Sequence, residues 1–309
     1  MPSPMTIAVV FHATASAARM RAYRIWHCAQ TWAQMGMDVR VVNGPAVPPG
    51  VDLVIPHVDL SLLPPEYRRL LDAPGIVLNR RVVDIRRRSF SRNLVSADDG
   101  YNGPVIVKTN NNCGGHPERA VVHGLSVPGR VSELLRRGAR SARRIAAARS
   151  FARLAYSSSL PARDYAVFAT KREVPRAVFQ NSDLVVEKFL PETDGRFHYL
   201  RSYTFLGNEG LAVRSRSEEP VVIGSVGAEL EFIPADESIV AARHALGLDY
   251  GKLDYVMHDG VAVLLDVNTT PTFGAVYSPE VQARICSRLA NGISAWFPEL
   301  HNFPRRPPV

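Results

Sequence analysis

Four polar residues near the C-terminal end, Lys252, Asp254, Asp266 and Asn268, stand where buried strands would carry valine or leucine. They interrupt two apolar runs, residues 251–257 and 261–267, separated by His258-Asp259-Gly260, which is a β-hairpin pattern. Alternation puts Lys252 and Asp254 on one face of their strand, and Asp266 and Asn268 on one face of theirs. A two-residue loop at Asp259-Gly260 would set the two pairs on opposite faces. A three-residue loop of His258, Asp259 and Gly260, with glycine last in the left-handed region, unites all four. In that register Lys252 lies across from Asp266, and Asp254 is one diagonal step away, roughly 7–8 Å by Cα. Two carboxylates and an amide oxygen so placed suit Mg²⁺ carrying phosphates. A hairpin with two solvated acids is the plainer reading, but the flanking residues are too apolar for it.

Three further stretches carry chemistry. Residues 104–108 read as an apolar strand delivering Lys108 to the polar loop Asn110-Asn111-Asn112-Cys113-Gly114-Gly115, whose Gly and Asn residues accept the positive φ that a phosphate-wrapping nest needs. Residues 183–190 form a strand that ends in Glu187-Lys188-Phe189-Leu190 and runs on to Glu192 and Asp194. Arg201 and Arg214 lie on the two apolar strands of a hairpin turning at residues 207–210, and arginine donates bidentately to phosphoryl or tetrahedral oxyanions. Arg216 is substrate-facing or solvated, and His198 is a lone strand histidine. Cys113 has no inferable histidine partner and is not read as a nucleophile.

Asp254 and the run Leu264-Leu265-Asp266-Val267-Asn268-Thr269-Thr270-Pro271 resemble the metal-binding end of ATP-grasp ligases, the superfamily of D-alanine–D-alanine ligase, glutathione synthetase and ribosomal-protein glutamate ligases. Lys108 with its loop and the Glu187–Leu190 segment resemble that family's Val-Lys strand, phosphate-covering loop and adenine hinge, in the family's order. The resemblance covers roughly residues 75–296. It implies an α/β (α+β ATP-grasp) fold in which a Rossmann-like N-terminal domain, residues 1–80, precedes two ATP-grasp subdomains, residues 81–190 and 191–309. It implies ATP and Mg²⁺ as cofactors. Lys108, Gly114, Gly115, Glu187, Lys188, Phe189, Leu190 and Glu192 would bind the nucleotide, with Asp194 second to Glu192 for the ribose. Asp254, Asp266 and Asn268 would hold the metal, and Arg201, Arg214 and Lys252 the transferred phosphoryl group and oxyanion. The family's earlier phosphate-binding lysine has only Arg87 or Arg88 as counterparts. The activity implied is carboxylate–amine (or thiol) ligation through an acyl phosphate, releasing ADP and phosphate, in small-molecule or peptide-like biosynthesis. An ATP-grasp phosphotransferase and a non-catalytic nucleotide-binding module remain as alternatives, and the acceptor is not legible.

The elements that must position these residues follow the chain. Strands are expected at 6–11, 39–43, 52–56 and 75–79, alternating with helices at 16–35 and 65–71, which means a parallel sheet with helices on its faces. No Gly-x-Gly-x-x-Gly follows the first strand. Residues 80–103 read as basic and helical, 236–246 and 280–296 as helices, and 304–309 as a disordered tail. The chain has 309 residues and a net charge of +8. Nine arginines against one acid in residues 129–163 account for all of that excess, so the remainder is balanced, unlike a nucleic-acid-coating protein. Residues 130–153 show helical spacing with arginines on one face. That face is either solvated or a contact for an acidic partner, and its alanine-rich opposite face disfavours a membrane surface. No run approaches the ~20 residues of a membrane span. Three scattered cysteines and an N-terminus without a secretory pattern imply a cytoplasmic protein, and a homodimer is one assembly open to it.

Overall fold

A computed structural model describes residues 4–122, 154–223, 230–274 and 277–298. The chain forms two compact units, one of residues 1–85 with 191–309 and the other of residues 86–190. The boundary at residue 190 separates the strand carrying Glu187 from the sheet carrying the acids, whereas the N-terminal 85 residues belong with the C-terminal part.

In the first unit, strands β1 (Thr6–Phe11), β2 (Asp38–Asn43), β3 (Leu53–His57) and β4 (Ile76–Val77) make a parallel sheet of order β2-β1-β3-β4. Every residue of β1 is buried, as expected of a central parallel strand covered on both faces. The helix expected over residues 16–35 is two helices, Ala17–Arg21 and Arg24–Gln34, because Tyr23 between them is extended. Tyr23 bridges to Thr272, its hydroxyl bonds Asp59, and the Arg24 N–H donates to the Pro271 carbonyl at 3.0 Å. Tertiary hydrogen bonds here replace helical ones.

The second unit centres on an antiparallel sheet of order β6-β5-β7, made by Val105–Thr109 (β5), Ala166–Phe168 (β6) and Leu184–Lys188 (β7). Val105, Val107, Leu184 and Val186 supply its apolar core face. The other face carries Ile106, Lys108 and Glu187, since Ile106 pairs with Glu187 and side chains alternate. The helix expected over residues 80–103 is limited to Arg87–Phe90. Asp99 explains part of the difference: its carboxylate accepts the Ser96 and Tyr101 N–H groups, an Asx arrangement that competes with helix.

Back in the first unit, β8 (Glu192–Thr193), β9 (His198–Leu206), β10 (Glu209–Ser217), β11 (Leu230–Ile233), β12 (Tyr250–His258) and β13 (Val261–Asn268) build an antiparallel sheet. Its path is β11-β10-β9-β12-β13, with β8 on β9. One core joins this sheet to the parallel one: Ile7, Phe11 and Trp32 cluster with Leu206, Tyr250, Ile285 and Leu289. The helix Pro279–Asn291 packs on Arg24–Gln34, where Trp32 Nε1 donates to the Ala290 carbonyl at 2.9 Å. Burying each such large side chain contributes about 1.5–3 kcal/mol. Among the described residues no helix is long and apolar enough to cross a membrane.

Candidate active site

The β12–β13 hairpin departs from the expected register and still unites its polar residues. The turn has two residues, not three: His258 pairs with Val261. Asp259 (φ 50°) and Gly260 (φ 77°) are both left-handed, the requirement of a type I′ turn. An even turn alone would have set Asp266 on the wrong face. The ladder corrects this with an irregularity between Asp254 and Tyr255, where Tyr255 pairs with Leu264 but Asp254 with Asp266, so Leu265 is the extra residue of a β-bulge. Asp254 therefore stands directly opposite Asp266, and Lys252 opposite Asn268, rather than diagonally.

Neighbours on the same face complete the cluster. Lys252 Nζ lies 2.6 Å from Asp254 Oδ2, and Ser202 Oγ of β9 donates to Asp254 Oδ1 at 2.5 Å. Burial lowers the Lys252 ammonium, but the Asp254 carboxylate, helped by Asp266, outweighs it and holds the pKa above the ordinary lysine value, with Arg24 opposing. Arg24 is buried and bonds Thr204, the β9 residue paired with Lys252, at 2.6 Å. Directly opposed carboxylates repel; the lysine offsets part of that repulsion and a divalent cation would offset the rest.

Sequence reading missed Asp59 and Thr270. The Thr270 N–H donates to Asn268 Oδ1 at 2.7 Å, and the Thr270 hydroxyl lies 2.8 Å from Asp59 Oδ1. Asp59 Oδ2 accepts from Arg19 Nη2 at 2.6 Å and from the Tyr23 hydroxyl at 2.5 Å. Burial pushes the Asp59 carboxyl up, but the Arg19 guanidinium with the Arg19, Tyr23 and Thr270 hydrogen bonds pulls it below its usual range. The only sequence signals were an acid just past β3 and a threonine two residues after an asparagine, the spacing of an Asx turn.

Arg201 and Arg214 do not join Lys252. Arg201 pairs with Arg214 across β9–β10, while its neighbour Ser202 faces Asp254, so alternation sends both arginines to the opposite face. There Arg201 grips Glu192 through Nε (2.9 and 3.0 Å) and Nη2 (2.7 Å), and Arg214 Nη2 lies 2.6 Å from Glu231. Of the three cations expected to clamp the phosphoryl group, Lys252 lies on the face of the acids and Arg201 and Arg214 on the other. Glu192, read as a ribose ligand, is held by Arg201 and accepts the Met257 N–H at 2.8 Å.

In the second unit, Lys108 Nζ lies 2.9 Å from Glu187 Oε2, and Ser91 Oγ donates to Glu187 Oε1 at 2.5 Å. Glu187 is 1% exposed. Burial raises its carboxyl, yet the Lys108 and Arg87 charges and the bonds from Ser91 and Lys108 hold it below the ordinary value. Glu187 is thus the buried partner of Lys108 rather than a surface partner of Lys188, whose ammonium stands 5.2 Å over the Tyr101 ring. Of the two arginines, Arg87 is inside, with Nη1 donating to the Thr109 and Asn111 carbonyls at 2.9 and 3.1 Å, while Arg88 is exposed. The Phe189 N–H donates to the Pro104 carbonyl at 2.8 Å, so Phe189 extends the pairing of β7 with β5 by one residue, and Leu190 is the last residue of the unit. In the loop, Cys113 (φ 50°), Gly114 (φ 68°) and Gly115 (φ 71°) are successively left-handed. A Cβ on Gly114 would lie 2.6 Å from the Leu160 carbonyl oxygen, so close packing as well as φ demands glycine.

With this geometry in hand, the chain was compared with known proteins. No family model matches it, and no curated protein matches it. Solved structures do. The ATP-grasp ligase PsnB with its minimal precursor shares 14% identity over 95% of this chain and 99% of that one, at a TM-score of 0.49. The macrocyclase MdnC with precursor peptide MdnA, from Microcystis aeruginosa MRC, shares 12% over 93% and 100%, at 0.48. D-alanine–D-alanine ligase from Bacillus anthracis complexed with ATP shares 12% over 96% and 95%, at 0.47. The structures it resembles are ATP-grasp ligases. These likenesses, distant in sequence and in superposition, assign no activity.

The three stretches whose residues resemble ATP-grasp motifs divide between the units: Lys108 with Glu187–Leu190 in one, Asp254, Asp266 and Asn268 in the other. Two carboxylates and an amide oxygen on one sheet face are a hard-oxygen donor set and fit Mg²⁺. Among the described residues no group of three or more His, Cys, Asp or Glu is arranged for a metal. A cation would therefore depend on the Asn268 amide and on oxygens brought by its ligand, as Mg²⁺ bound with phosphates does. The arginine-rich segment 130–153 and the tail 304–309, expected to be disordered, lie outside the described residues.

Proposed function

We propose that this chain is an ATP-grasp ligase that activates a carboxylate with ATP and joins it to an amine or another nucleophile. The observation that carries the reading is the opposition of Asp254 to Asp266 with Lys252 and Asn268 alongside, on one face of one sheet. Mg²⁺ held by Asp254, Asp266 and Asn268 would supply charge neutralisation at the terminal phosphates. Lys252, kept cationic by Asp254 on the same face, would donate to the phosphoryl oxygens or the acyl oxyanion. Lys108 and Glu187 bind the nucleotide, the lysine as a phosphate donor and the carboxylate as the group that orients it.

The reaction follows from these roles. A carboxylate oxygen of the substrate attacks the γ-phosphorus, the bond to the β–γ bridging oxygen breaks and ADP departs. The incoming amine adds to the acyl carbon, loses a proton and expels phosphate. The residues contribute positioning and electrostatics, which suffice for phosphoryl transfer. Substrates of this class are a small-molecule or peptide-like acid and an amine. The three free cysteines support a cytoplasmic setting.

The test incubates the protein with ATP, Mg²⁺ and pools of carboxylates and amines and identifies the nucleotide product. ADP and phosphate formed only when a carboxylate is present support the reading. AMP with pyrophosphate sinks it.

A further inference from the structure

Thr270 carries one hydroxyl proton and stands between two acceptors. Its Oγ1 is 2.8 Å from Asp59 Oδ1 and 3.4 Å from Asn268 Oδ1. That same amide oxygen already accepts the Thr270 backbone N–H at 2.7 Å. An amide oxygen has two lone pairs. The N–H takes one, and the other is the pair a cation needs. If the hydroxyl proton turned to Asn268 it would occupy that pair.

The direction of the proton is decided by Asp59. A carboxylate is the stronger acceptor and the distance to it is shorter. Asp59 is also fixed in place, because its other oxygen is held by Arg19 Nη2 at 2.6 Å and the Tyr23 hydroxyl at 2.5 Å, and Arg19 Nε donates to that hydroxyl at 2.7 Å. The carboxylate is 18% exposed, so water competes little for it. The extended Tyr23 that splits the first helix brings its hydroxyl and Arg19 to this point. Asp59, just past β3, held by Arg19 and Tyr23, thus reaches the turn that follows β13.

We infer that Asp59 is a positioning residue for Asn268: by taking the Thr270 hydroxyl proton it leaves one lone pair of the Asn268 amide oxygen to a divalent cation. This rests on the metal reading above. Outer partners that orient metal ligands are worth 10–100-fold in affinity as a rule, and a partner acting through one hydroxyl belongs at the lower end.

The test reads binding rather than turnover: Mn²⁺, in place of Mg²⁺, titrated by electron paramagnetic resonance against the full chain with ADP present. Asp59→Ala is expected to weaken Mn²⁺ binding roughly tenfold. Thr270→Val, which removes the proton itself, is expected to stay within about twofold of wild type, and Thr270→Ser to match wild type. In the Thr270→Val background, Asp59→Ala should cost nothing further. An equal loss in both backgrounds overturns the inference, because Asp59 would then act as a general anchor of the fold. Should Asp59→Ala not fold, Asp59→Asn read in the same two backgrounds replaces it, with a smaller loss that again must vanish with Thr270→Val. Asp266→Ala is the control. If it leaves Mn²⁺ affinity unchanged, the metal reading itself has failed, an outcome distinct from any failure of Asp59.

Discussion

Asp254 and Asp266 face one another across the β12–β13 ladder although the turn between them has an even number of residues. The extra residue Leu265 restores the parity that the two-residue turn would otherwise remove. Where a strand's side chains are counted from the turn, one inserted residue decides which face receives a carboxylate.

The bulge makes a deletion predictable. Without Leu265, Asp266 would follow Leu264 directly and still fall opposite Asp254 in an unbroken ladder. The variant lacking Leu265 is expected to keep Mg²⁺-dependent ATP turnover within about tenfold of wild type, whereas Asp266→Ala should abolish turnover with the fold intact by circular dichroism. A deletion as damaging as Asp266→Ala would show that the bend of the bulge, and not only its parity, shapes the site.

The Lys108–Glu187 pair sets an acid limit. Because the Glu187 carboxyl is held below its ordinary value in the folded chain, the unfolded chain binds more protons there. Its stabilisation is therefore present above the ordinary carboxylate pKa and is lost as pH falls through the lowered one. Glu187→Gln should flatten that acid limb while destabilising the unit by about 3–5 kcal/mol at neutral pH, since it strands the buried Lys108 ammonium. Chemical denaturation across acid pH checks both parts, and Lys108→Met should restore much of the stability without restoring nucleotide affinity.

His57 predicts a second pH dependence. Its ring is buried among Phe11, Tyr23 and Tyr250, and burial lowers its pKa from 6.5 to about 3, with Arg19 adding and Asp59 opposing. The folded chain keeps it neutral while the unfolded chain takes up a proton, so stability declines as pH drops from 6.5 toward about 3. Where only the unfolded form is protonated, the slope is about 1.4 kcal/mol per pH unit. His57→Phe, which keeps an aromatic ring in place, should remove that slope and leave stability near neutral pH little changed. An unaltered slope in denaturation midpoints would assign the decline to the carboxylates alone.

Much of the strand order was legible because short-range rules governed it. The apolar runs at 6–11, 53–57 and 105–109 bounded by turn residues are strands, and Gly260 is left-handed as its turn requires. Residues 80–103 misled, because their arginines and small polar residues make side-chain bonds to distant backbone, such as Arg87 to Thr109, which no local pattern encodes. The helix over 16–35 misled likewise, broken at Tyr23 by partners at Asp59 and Thr272. Arg201 and Arg214 carried the right chemistry for phosphate, but their face follows from the pairing of β9 with β12 and β10.

What the amino-acid order determined by itself was the inventory: two acids, an amide and a lysine on adjacent strands, a strand-borne Lys108, and an acid at Glu187 to meet it. Only the tertiary structure decided the convergence. Lys108 meets Glu187 because β5 and β7 pair with Ile106 opposite Glu187. Asp254 meets Asp266 because a bulge offsets an even turn. Asn268 is held through Thr270 by Asp59, some two hundred residues earlier in the chain. The physical reason is common to the first two. Side-chain direction in a strand has a period of two, so a single residue of register reverses a face, and register is set by hydrogen bonds and packing between segments far apart in sequence.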